Sequence, residues 1–323
     1  MKPKYTGHDT FPLRYGWLYK SANHLNNNKK LLASNDESTR EAIVELGVGK
    51  NMVNAMRYWS DCSGTIDLDK QNVTENGAYL FGNAELEGKD PYLEKAGSIW
   101  LLHFWLNFNY EYLTAYRYFF NYSSSLHFEK SQLVENLLAD ERNLFVDESR
   151  QIFNNEITDE QRIQAEKHRK TVTKDIDCFL NTYCHKVKKG KKNDQFNEDY
   201  FSSPLSELNL LHDNGGGYYI SDLGDRPDLP IEIFIYSLIE YAKKGHGETG
   251  DKNIKFEDIL VDPCSPGRIF RLSEAGLDNK LHKTQIKTKN AISWNSTQGL
   301  RQITIKNSLM KSSERFLNEF YGK

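Results

Sequence analysis

Cysteine is scarce. Only Cys62, Cys178, Cys184 and Cys264 occur, and none forms a C-x-x-C pair. That spacing argues against a structural zinc site and against a disulfide framework, and scattered thiols suit a reducing cytosol, so a cytoplasmic location is expected. Long hydrophobic runs are missing too. The greasiest, Ile99 to Phe108 (IWLLHFWLNF), contains His103 and falls well short of the ~20 apolar residues that span a bilayer, so it reads as a buried helix. The first residues, MKPKYTGHDTF, hold no apolar stretch to act as a signal peptide. No strong charge of one sign is present: the formal net charge is −3, and any nucleic-acid contact must rest on local patches. Catalytic signatures are absent as well. There is no Walker A loop, no G-x-G-x-x-G after a strand, no G-x-S-x-G elbow and no H-E-x-x-H. Neither an enzyme nor a cofactor is expected on these grounds.

What is present is a globular balance of 38% hydrophobic and 27% charged residues, in a chain of 323 residues that is long enough for more than one domain. Residues 7–25 (GHDTFPLRYGWLYKSANHL) read as a capped helix start, with Thr10 as cap and Pro12 in the first turn. His8, Asp9 and Arg14 form the chemically richest cluster there, read first as capping and packing. Residues 27–37 are Asn-rich and loop-like. A long aromatic helical stretch is expected over about 91–121, a helix over 129–140, two helices over 158–186, a linker over 187–199, a helix over 229–243 and a final one over about 307–321. Thr74 is placed to cap a short helix.

The segment STREAIVELGVGKNMVNAMRYW has the pattern of a helix-turn-helix. Gly47 sits at the turn, where the backbone must become left-handed, and Ala42, Leu46, Val48, Val53 and Met56 fall at contact positions. The second helix then starts near Lys50. Its free face is expected to carry Lys50, Asn51, Asn54 and Tyr58, with Arg57 at the flank; cations suit phosphates and Asn suits adenine edges. The Gly64–Gly77 stretch is expected to supply a wing.

A second candidate lies at 166–183. The sequence TVTKDI resembles the start of the recognition helix in DeoR-type winged-helix repressors, with Thr171 or Thr173 as cap and Lys170, Thr173 and Lys174 on the free side. Residues 162–192 hold ten Lys or Arg against three acids, an excess of seven in an acidic chain, and Lys188, Lys189, Lys191 and Lys192 concentrate it. Residues 208–222 (LNLLHDNGGGYYISD) read as a hairpin turning at Asn214 and three glycines, with Leu210–Leu211 and Tyr218–Ile220 as strands. Near the C-terminus, Asp262 to Arg268 (DPCSPGR) is a stiff turn expected to present Arg268 to an anion or a partner's carboxylate.

The expected fold is therefore mainly α with small β-hairpins: two winged-helix-like units plus helical packing segments. The expected domains are an N-terminal winged-helix and aromatic helical domain (1–125), a second winged-helix-like domain with the basic segment (126–225) and a C-terminal helical domain (226–323).

Several stretches together resemble the bacterial "domain of unknown function 4007" family: GHDTFPLRYGWL at 7–18, AIVELGVGKNMVNAMRYW at 42–59, DPYLEKAGSIWLLHFWL at 90–106, TVTKDIDCFLNTY at 171–183, SPGRIFRL at 265–272 and QGLRQI at 298–303. The resemblance implies a component of anti-phage islands, in systems similar to DNA phosphorothioation or phage exclusion, beside a phosphoadenosine-phosphosulfate-reductase-like protein. It implies no catalytic residues. The leading expectation is a non-catalytic subunit that binds or senses double-stranded DNA, with no membrane partner. The others are an adaptor for the reductase-like protein, a repressor of its own operon, and a hydrolase or nuclease whose carboxylates cluster around a metal only in the fold.

Overall fold

The computed structural model describes residues 4–27, 36–83, 85–108, 114–144, 159–185, 203–246, 249–296 and 299–322. Two units result, one from Met1–Glu94, Asn109–Tyr118 and Ser125–Ser221, the other from Lys95–Phe108, Phe119–Ser124 and Asp222–Lys323. The architecture is mainly helical with three small antiparallel sheets among the described residues. No helix among them is long and apolar enough to cross a membrane.

In the first unit, α1 (Trp17–Asn26) begins later than expected. Thr10 does not cap it; Asp9 and Thr10 lie at positive φ (45° and 66°), and Gly16, at φ 78°, precedes the first helical residue. Residues 6–16 are instead a folded loop. The segment read as a helix-turn-helix forms two helices joined by a glycine turn: α2 (Asp36–Leu46), Gly47 at φ 66°, and α3 (Lys50–Cys62). Ala42, Leu46, Val53 and Met56 are buried, Val48 half-buried. The hairpin follows directly, with β1 (Ile66–Asp67) against β2 (Asn72–Val73). Thr74 then caps α4 (Glu75–Phe81) by accepting from the Gly77 N–H. Gly77 packs so closely beneath the hairpin that an added Cβ would lie 2.0 Å from the Thr65 carbonyl.

The expected aromatic stretch is two helices, α5 (Ala96–Phe108) in the second unit and α6 (Thr114–Asn121), in which the two units divide. The first unit continues with β3 (His127–Glu129), α7 (Lys130–Leu144), α8 (Asp159–Tyr183), and the hairpin β4 (His212–Asp213) and β5 (Tyr218–Ile220). Here α8 corrects an expectation: one continuous helix replaces two. Its Thr171 and Thr173 hydroxyls donate back to the Lys167 and Arg169 carbonyls (3.1 and 2.8 Å), so they sit inside the helix rather than capping one. The hairpin turns on Gly215, Gly216 and Gly217, all at positive φ, with its first strand two residues later than read. The sheet order is β3-β5-β4, the last strand in the middle.

The second unit gathers around α5. That helix is apolar on every side, and Ile99 to Asn107 are all buried, so it must be enclosed rather than laid on a surface. It packs against α9 (Ile231–His246) and the short α11 (Pro266–Ile269). Residues 95–108 thus belong to one unit with Phe119–Ser124 and Asp222–Lys323. The C-terminal part is also not purely helical. After α9 come β6 (Lys252–Lys255), α10 (Phe256–Val261), α11, α12 (Glu274–Lys287), β7 (Ile292–Asn295) and β8 (Gln302–Ile305), forming a sheet of order β6-β8-β7. Ile254, Ile292, Trp294, Ile303 and Ile305 alternate onto its buried face, as period-two pleating requires. The final helix divides into α13 (Asn307–Met310) and α14 (Glu314–Tyr321).

Candidate nucleic-acid interface

Of the five residues expected on the free face of α3, two are exposed. Lys50 and Asn51 open the helix, directly after the turn. Asn54 is half-buried; its amide donates to the Asp9 carboxylate (3.2 Å) and its carbonyl accepts from Arg57 (3.2 Å). Arg57 and Tyr58 are 7% and 6% exposed, which corrects the expectation that they face outward. The Arg57 guanidinium reaches the Thr39 hydroxyl on α2 through both terminal nitrogens (3.4 and 3.3 Å). Burial lowers its pKa from the ordinary arginine value.

For Tyr58 the reason is the N-terminal loop. His8 packs edge-on against Tyr58 (5.7 Å between centroids), the Trp59 indole donates to the Phe11 carbonyl (3.0 Å), and Gly7 leaves no room for a Cβ against the Tyr58 ring. Residues 6–11 therefore cover the far half of the helix face. The loop is in turn fixed by Asp175 on α8. Its buried carboxylate accepts from the Thr6 N–H (2.8 Å), the His8 ring (2.8 Å) and the Ala115 N–H (3.2 Å). The Thr10 N–H donates to His8 Nδ1 (3.1 Å), so the ring proton sits on Nε2, facing Asp175. His8 and Asp9 thus act as packing residues, and Arg14 lies over the Phe11 and Trp17 rings.

On α8, Lys170 and Lys174 are exposed, Thr171 and Thr173 half-exposed. Lys170 pairs with Glu166 one turn earlier (2.8 Å), and Arg169 pairs with Glu135 on α7. The exposed α8 cations are therefore Arg162, Lys167, Arg169, Lys170 and Lys174, on a helix whose other side buries Val172, Ile176 and Phe179. Lys188, Lys189, Lys191 and Lys192 lie outside the described residues.

Arg268 is not presented outward. Ser265 caps α11 by accepting from the Arg268 N–H (3.2 Å), and the Arg268 Nε donates to the Asn121 carbonyl (3.0 Å). Arg226 donates to the Phe270 carbonyl (3.1 Å), and Arg271 lies 5.1 Å from the Phe119 ring centre. Burial, reinforced by Arg268 and Arg226, pushes the Arg271 pKa down to about 10. These arginines hold α11 in the core of the second unit. Among the described residues, no group of three or more His, Cys, Asp or Glu is placed to hold a metal ion.

A family model described as "Protein of unknown function (DUF4007)" matches residues 5–321. Two solved structures are similar over 98% of this chain and 88% of their own, each with a TM-score of 0.76. One, described as "SspB crystal structure", is 26% identical; the other, "Magnesium ion-bound SspB crystal structure", is 25% identical. No curated protein matches.

Proposed function

The chain belongs to the DUF4007 family of proteins of unknown function, and from that premise we propose that it binds duplex DNA as a component of a bacterial anti-phage system. The observation that carries the reading is the order of elements around the two sequence-identified segments. Helix, glycine turn, helix and hairpin follow one another in α2, α3, β1 and β2, with Lys50 and Asn51 exposed where the second helix begins. A helix-turn-helix docks by laying its second helix in the major groove with its first residues at base edges, a hairpin wing alongside. The β3-α7-α8-β4-β5 succession with its β3-β5-β4 order has the connectivity of a winged helix, and its long helix carries a cationic face. Phosphate contacts by such cations supply sequence-independent affinity.

A protein–protein adaptor is the other reading. It would be favoured by exposure of the aromatic stretch 99–120, and the described aromatics there are buried apart from half-buried Phe108, which supports DNA over an adaptor. Binding beside a phosphoadenosine-phosphosulfate-reductase-like partner is compatible with either. The test is a titration of a random duplex, unmodified and phosphorothioated, at several salt concentrations, with the wild-type chain and a Lys50→Gln/Asn51→Ala variant. Salt-dependent binding at roughly 10⁻⁴ to 10⁻⁶ M or tighter, weakened in the variant, is expected. No binding at low salt would move the adaptor reading to first place.

A further inference from the structure

The C-terminal part of the second unit repeats the connectivity of the first. A helix (α9), a strand (β6), two helices (α10 and α12, with α11 between) and a hairpin (β7, β8) follow in that order. The last strand again pairs between the other two, Ile303 facing Ile254 on one side and Trp294 on the other. In this arrangement α12 occupies the place of the second helix of a helix-turn-helix, and β7–β8 the place of its wing.

Charge gives an independent observation on the same residues. From Asn279 to Ser313 the chain carries seven Lys or Arg and not one Asp or Glu, within a chain of net charge −3. That stretch is the greater part of α12 together with the hairpin and α13. Lys280 is used internally, donating to the Leu229 carbonyl (2.6 Å). Lys287 pairs with Glu232 (2.6 Å), and Arg301 with Glu274. Lys283, Lys289, Lys306 and Lys311 remain exposed, with no carboxylate partner among the described residues. On α12 itself, Gly276, Leu277, Lys280, Leu281 and Thr284 are buried. The opposite face shows Asn279, His282, Lys283 and Ile286 at helical spacing, all exposed, with Ile286 at 78%. A face bearing an amide, a cation and an apolar group offers what base edges, phosphates and thymine methyls accept.

We propose that α12 and the β7–β8 hairpin form a further duplex-DNA-contacting surface, with Lys283 and Lys289 on phosphates and Asn279 toward the major-groove edges. The inference rests on the DNA-binding reading above and adds a surface to it. Duplex RNA is the less suitable polyanion, because its narrow major groove does not admit a helix.

The experiment measures binding of a fluorescent random DNA duplex by the full-length chain as a function of salt. Wild type is compared with Lys283→Gln/Lys289→Gln and with Lys20→Gln, an exposed lysine of the first unit. All three positions are on the surface, and matching thermal unfolding curves verify the fold. The double variant is expected to lower the slope of log K against log salt by about 1.8, at ~0.9 per phosphate contact, while Lys20→Gln leaves it unchanged. A wild-type slope in the double variant, with binding intact, would overturn this inference alone. Stronger displacement by duplex RNA than by duplex DNA would also overturn it. Failure of the wild-type chain to bind at low salt would overturn the DNA-binding reading and this one with it.

Discussion

His103, in the middle of α5, gives the second unit a pH-dependent stability that can be worked out in advance. The ring is fully buried; its Nε2 donates to the Ile269 carbonyl (2.9 Å) and its Nδ1 lies 3.1 Å from the Asn107 amide nitrogen. Both contacts fit the neutral ring. Burial pushes its pKa down from 6.5 to about 3, despite the hydrogen bond to Ile269. Between those values the unfolded chain binds a proton that the folded chain does not, so stability rises with pH in that window. The contribution is fully present above the unfolded value and is lost as pH falls toward 3. At ~1.4 kcal/mol per unit, lowering the pH from about 7 to about 5 costs about 2 kcal/mol through this residue alone. A His103→Gln variant keeps a donor and an acceptor without titrating. Urea unfolding of both proteins at the two pH values, followed by tryptophan fluorescence, isolates the term as a difference of differences. Other titrating groups cancel in that comparison. Parallel losses of stability in the two proteins, within about 0.5 kcal/mol, would refute the reasoning and return His103 to an ordinary, solvated histidine.

Replacing Arg57 by Met removes charge-assisted hydrogen bonds to Thr39 and Asn54 and is expected to cost about 2 kcal/mol of stability by thermal unfolding; an unchanged melt with weaker DNA binding would mean the guanidinium faces DNA after all. Two glycines separate conformational strain from steric exclusion. Gly47→Ala meets open space at φ 66° and is expected to cost about 1 kcal/mol, whereas Gly77→Ala drives a Cβ into the Thr65 carbonyl and is expected to cost about 3 kcal/mol. Equal melting temperatures for the two variants would contradict that ranking.

Local patterns were readable in the sequence where the governing contacts are local. The Gly47 turn, the Thr74 cap and the triple-glycine hairpin depend on neighbours a few residues away, the burial of residues 99–107 follows from their own unbroken apolarity, and each appears in the structure. Features set by distant segments were not readable. Arg57 and Tyr58 have a helical phase that looks free; the Arg57 guanidinium turns back to Thr39 on α2, and what covers Tyr58 arrives from residues 6–11. Thr171 and Thr173 have the chemistry of caps, and only the continuation of α8 on both sides turns their hydroxyls back along the helix. The β6-β8-β7 sheet escaped notice because its strands are four residues each, too short to show alternation convincingly, and because β6 pairs with a strand beyond three helices. The acid-free run after Asp278 was visible in the sequence all along. That it falls on one helix and one hairpin is set by the fold.

The grip of Asp175 on the N-terminal loop has a practical bearing on how this protein can be handled. Trimming the first dozen residues would strip a fully buried carboxylate of two of its three donors, and would take away the Trp59 indole's acceptor at the same stroke. The segment 6–11 is thus a keystone for both α3 and α8.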